Sequence, residues 1–98
     1  MKKIEKENGQ IFEVFATQKE FLQYLSFNIN YGEEMPEDCG LSIEYKDGTY
    51  FSAVEGDPIN YKKSGIKRAQ FDCYGVCQAI LNCEILYNER YEDYEVEI

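Results

Sequence analysis

The first third of the chain carries the clearest hydrophobic pattern. Ile11-Phe12-Glu13-Val14-Phe15-Ala16 is rich in β-formers and follows Asn8-Gly9, so it reads as a strand. Thr17-Gln18-Lys19-Glu20 then fits a capping box, in which the Thr17 hydroxyl takes an orphan amide and Glu20 reaches back. From there to about Asn30 the spacing predicts a helix. Phe21, Leu22, Leu25 and Ile29 share one face, while Lys19, Gln23, Ser26 and Asn30 make the polar side. Tyr24, Phe27 and Tyr31 form an aromatic stripe beside the apolar face, with Phe27 expected in the core. Gly32 is placed to stop the helix.

The period then changes to two. Leu41, Ile43 and Tyr45 alternate with Ser42, Glu44 and Lys46, as in a half-buried strand. Asp47-Gly48 is a hairpin turn signal, because both positions tolerate positive φ. Thr49 to Val54 returns as the partner strand. Gly56-Asp57-Pro58 ends it, and a loop runs to about Gly65. Ile66 to Cys73 reads as a further strand, with Tyr74-Gly75 as a turn. Between Val76 and Tyr87 two periods compete. Cys77, Ala79, Leu81, Cys83, Ile85 and Tyr87 alternate as in a strand, whereas Val76, Cys77, Ile80 and Leu81 also have helical spacing. The strand is preferred, because β-formers stand at both ends. Tyr94, Val96 and Ile98 alternate with Asp93, Glu95 and Glu97, which predicts a last strand. The expected fold class is α+β: a small antiparallel sheet of four to six strands with one or two helices packed on one face, in one domain over 1–98.

Nine tyrosines and six phenylalanines give this short chain enough rigid apolar area for its own core, without a metal or disulfide. The net charge of −9 changes the picture more. It disfavours direct contact with nucleic acid or an anionic membrane, since each phosphate contact needs a cation. It favours a basic protein partner. The acids gather at Glu33, Glu34, Glu37 and Asp38, and again at Glu84, Glu89, Glu92, Asp93, Glu95 and Glu97. The bases gather at Lys2, Lys3 and Lys6 and at Lys62, Lys63, Lys67 and Arg68. No apolar region follows the first lysines as in a secretion signal, and no run approaches a membrane span. A cytoplasmic chain is therefore expected, with Cys39, Cys73, Cys77 and Cys83 as reduced thiols.

Candidate chemistry is sparse. With no histidine, the Ser-His and Cys-His pairs and every His-containing metal site are excluded. Cys73-x-x-x-Cys77 is one knuckle without a second, so no zinc site is expected. The carboxylates lack the alternating spacing of a calcium loop, and the glycines stand singly rather than in a phosphate loop. No catalytic residue, metal or cofactor is assigned. Lys62-Lys63 and Lys67-Arg68, near Tyr61, read as a solvated loop or as charge balance.

The remaining signal is for binding. On a strand, Asp93, Glu95 and Glu97 share one face at a spacing of about 6.8 Å, close to that of successive phosphates. The expected partner-binding residues are Glu33, Glu34, Glu37, Asp38, Glu89, Glu92, Asp93, Glu95 and Glu97, with Tyr91, Tyr24 and Tyr31 as aromatic anchors. The expected function is a non-enzymatic inhibitor of a basic, nucleic-acid-handling protein, acting as a nucleic-acid mimic. In size, acidity and lack of catalytic residues the chain resembles anti-defence proteins of phages and mobile elements, including many anti-CRISPR proteins. That likeness is one of composition alone. The alternatives are an immunity protein neutralising a cognate toxin, a small enzyme or accessory subunit using a thiol or carboxylate pair, and a module that self-associates through a sheet edge.

Overall fold

The computed structural model describes residues 2–5, 11–73 and 77–82. They form six strands and one helix: β1 (Lys2–Glu5), β2 (Ile11–Phe15), α1 (Gln18–Asn28), β3 (Cys39–Tyr45), β4 (Tyr50–Ala53), β5 (Ile66–Cys73) and β6 (Cys77–Asn82). The strands make one sheet in the order β1-β2-β6-β5-β3-β4. The fold is α+β, with the helix against the sheet. Every neighbouring pair runs antiparallel except β2 and β6, which are parallel. The expected antiparallel sheet is thus a mixed one. Its parallel junction lies in the interior of the sheet, where apolar residues are buried on both faces. Phe15 and Leu81 face the helix side, while Val14 and Ile80, register partners on the other face, are equally buried.

Thr17 caps the start of α1 and its hydroxyl meets the Glu20 side chain. The Glu20 N–H donates to the Thr17 hydroxyl oxygen at 3.3 Å, and that hydroxyl donates to Glu20 Oε1 at 3.1 Å. The helix ends earlier than Gly32. Ile29 has already turned extended, with φ −140°, though its N–H still bonds to the Leu25 carbonyl at 2.8 Å. Gly32, with φ +89°, serves the turn beyond. Phe21, Leu25 and Ile29 are buried as the spacing requires. Phe27 is not in the core: it is 88% exposed. It follows Leu25 by two residues, about 200° round the helix, so it points away from the sheet. Tyr24 is half-buried between Phe15 and Phe71, at ring separations of 5.3 and 6.2 Å.

The β3–β4 hairpin turns at Asp47-Gly48 as expected. The Asp47 carboxylate accepts from the Thr49 N–H at 3.0 Å and from its hydroxyl at 2.6 Å. β4 and β5 flank β3 on opposite sides, both antiparallel to it. The chain between them must therefore travel back the length of the strands. It does so on the helix face, where Ile59 and Tyr61 join the core cluster with Phe21, Leu25, Leu41, Ile43 and Phe71. This segment, read from sequence as a loop, covers part of the core. Gln18 fastens it to the helix: its Nε2 donates to the Lys63 carbonyl at 2.6 Å, and its Oε1 accepts from the Ile66 N–H at 3.0 Å.

The competing readings of 76–87 resolve as a strand over Cys77–Asn82. β1 was legible only as a basic cluster. Tyr74-Gly75, the continuation over 83–87 and the expected last strand lie outside the described residues. Among the described residues no helix is long and apolar enough to cross a membrane.

Candidate acidic binding surface

Two loops meet at the end of the sheet where β3 begins and β4 ends. The Gly32 N–H donates to the Ile59 carbonyl at 2.8 Å, and the Ile59 N–H donates to the Glu33 carbonyl at 2.8 Å. The Met35 N–H reaches the Asp57 carbonyl at 2.7 Å, and the Gly56 N–H reaches the Met35 carbonyl at 3.0 Å. Met35 is buried beneath them and anchors the ladder to the core. Backbone bonds therefore hold 32–35 against 56–59, although some two dozen residues separate them in sequence.

This pairing gathers Glu33, Glu34, Glu37 and Asp38 with Glu55 and Asp57. All six side chains are exposed. No lysine or arginine lies within 32–41 or 54–61. Among the described residues none of the six is in an ion pair. Their polar contacts are with neutral groups: Asn30 Nδ2 donates to Glu33 Oε2 at 3.2 Å, and the Val54 N–H donates to Asp57 Oδ2 at 2.9 Å. Helix α1 delivers its C-terminal end to the same region, with no basic residue in its last turn. The negative end of the helix dipole adds to the negative potential there.

The basic residues are arranged differently. Lys62 Nζ lies 3.4 Å from Asp47 Oδ2 and 5.0 Å from the Tyr45 ring centroid. The register between β3 and β5 slips beside Tyr45, leaving Lys67 as an extra residue, so Lys67 and Arg68 both reach Glu44. Arg68 Nε stands 2.9 Å from one Glu44 oxygen, and Lys67 Nζ 3.7 Å from the other. Lys63 Nζ sits 4.1 Å from the Tyr31 ring centroid. Lys62, Lys67 and Arg68 are thus matched by acids of the β3–β4 hairpin, whereas the acidic loops have no ion pair among the described residues.

Of the expected aromatic anchors, Tyr31 is 48% exposed and adjoins Gly32-Glu33, stacked edge-on against Tyr61 at 5.4 Å. Tyr24 instead packs between helix and sheet. Glu89, Tyr91, Glu92, Asp93, Glu95 and Glu97 lie outside the described residues. Glu55 and Asp57 were missed from sequence because only the backbone ladder joins their loop to 33–38. The Asp-Pro pair after Gly56 marked a turn, but not what the turn would pair with.

Two depressions hold little chemistry. One, of about 190 Å³, lies on the face away from the helix and is lined by Ser42, Glu44, Tyr50 and Arg68. The other, of about 200 Å³, lies between α1 and Tyr61. Both are smaller than the roughly 300 Å³ at which small-molecule pockets begin. Among the described residues no cluster of three metal-binding side chains occurs. Comparison of the chain with family models, curated proteins and solved structures finds no match.

Proposed function

We propose that this protein is a non-enzymatic binding protein whose acidic surface occupies a cationic site on a nucleic-acid-handling partner and thereby inhibits it. One observation supports the reading: two separate loops are locked together so that six exposed carboxylates share one end of the fold, with no ion pair among the described residues. Such concentrated like charge destabilises the fold through self-repulsion, and its use lies in attraction over a distance. A cationic groove shaped for phosphates is the complementary surface. Electrostatic complementarity would speed the encounter and select the partner, and Tyr31 at the border of the patch would add packed area. Lys62, Lys67 and Arg68 take no part in this contact, because their charges are already engaged by Asp47 and Glu44.

The test is affinity capture from the native host at low salt, with the wild-type chain and a Glu33→Lys/Glu34→Lys/Glu37→Lys variant as parallel baits. The captured partner is then assayed for DNA or RNA binding. Wild-type capture of a basic protein whose nucleic-acid binding is displaced, with loss of capture by the variant, supports the reading. Equal capture by both baits, or a partner whose nucleic-acid binding is untouched, overturns it.

A further inference from the structure

We propose that Cys39 and Cys73 form an oxidation site, at which hydrogen peroxide converts two adjacent thiols into a cross-strand disulfide tying β3 to β5. The two residues are direct register partners on antiparallel strands. Opposite residues in such a ladder have Cα atoms about 4.5 or 5.5 Å apart, and both spacings fall within the roughly 4.4–6.8 Å that a disulfide spans. Register partners also share a face. Cys39 belongs to the helix-side core and Cys73 packs against it from a half-buried position. Both are free thiols. The bond can therefore form with little backbone movement.

The chemistry assigns each sulfur a role. The half-exposed Cys73 meets peroxide: its thiolate attacks the O–O bond, a sulfenic acid forms, and hydroxide leaves and is protonated to water. Cys39 then attacks the Cys73 sulfur, the S–S bond forms, the S–O bond breaks, and a second water leaves. Two thiols and one peroxide yield one disulfide and two waters. Burial, the adjoining Cys73, and the carboxylates of Asp38 and Asp72 push the Cys39 thiol up to about 12. Cys39 therefore stays protonated at rest, and its attack on the Cys73 sulfur is the slow step. Cys39 directly follows Asp38, a non-glycine residue at φ +61°. Oxidation would pin the end of the acidic loop to the centre of the sheet.

Cys77 is the rival partner, since it is the register partner of Cys73 in the β5–β6 ladder. The experiment exposes the purified full chain to hydrogen peroxide, counts free thiols after denaturation, and maps the link by peptide mass spectrometry. Wild type and C77S are expected to lose two thiols and give a peptide joining residues 39 and 73. C39S is expected to form no intramolecular disulfide and to accumulate a sulfenic acid at Cys73, trapped with a diketone. The oxidised wild type should unfold at higher urea than the reduced chain. A 73–77 link, an intramolecular disulfide in C39S, or an unchanged thiol count in the folded wild type would overturn the assignment. The wild-type mapping decides the matter even if C39S fails to fold.

Discussion

Phe21 and Phe27 stand six residues apart on one helix, yet one is fully buried and the other 88% exposed. The core of α1 is centred on Leu25, so distance round the helix from that residue decides burial, and membership of an aromatic stripe does not. Replacing Phe21 with alanine should cost about 3–5 kcal/mol in denaturant unfolding. Replacing Phe27 with alanine should change stability by no more than about 0.5 kcal/mol. Asp47 makes a second residue-scale prediction. Its bonds from the Thr49 hydroxyl and amide, with the Lys62 ammonium beside them, hold its carboxyl down from 3.8 to about 2. A depressed carboxyl stabilises the fold above its unfolded pKa and ceases to as pH falls through its folded one. Asp47→Ala should therefore lower the urea midpoint equally at all pH values well above 3.8, and the difference from wild type should shrink as pH approaches about 2.

Elements built from near neighbours were legible in the sequence. Thr17 and Glu20 marked the helix start, Asp47-Gly48 marked the hairpin, and Leu41, Ile43 and Tyr45 marked the buried face of β3. What the sequence did not reveal are partnerships across distance. The parallel β2–β6 junction, the pairing of β1, and the return of 54–65 over the core depend on which segments meet, and local spacing carries no record of that. The candidate site divides the same way: Glu33, Glu34, Glu37, Asp38 and Tyr31 were legible as a charged, aromatic-flanked loop, while Glu55 and Asp57 join only through the ladder. Gln18 is another such link, a helix residue that holds the chain entering β5. Gln18→Ala leaves the Ile66 amide without its acceptor and should cost about 1–3 kcal/mol. Hydrogen exchange at Ile66 should quicken in that variant. Gln18→Glu keeps the acceptor oxygen and should leave Ile66 protected.

At the scale of the whole molecule, the net charge of −9 is spread unequally over the fold. Lys62, Lys67 and Arg68 are matched by Asp47 and Glu44, while the end holding 33–38 and 55–57 has no matching base among the described residues. Binding driven by that end should weaken steeply as salt rises, because exposed charges are screened within about 8 Å at physiological ionic strength. Charge reversal elsewhere, as in Lys62→Glu, should leave binding within about threefold of wild type, since it touches no unmatched acid (a factor of three is roughly 0.65 kcal/mol). The most direct measurement is the association rate of the captured partner with wild type and with the Glu33→Lys/Glu34→Lys/Glu37→Lys variant across a salt series, with and without competing DNA or RNA. An acid-led contact predicts a rate that falls with salt and with competitor for wild type, and a slow, nearly salt-independent rate for the variant. Equal rates and equal salt slopes for the two proteins would contradict it.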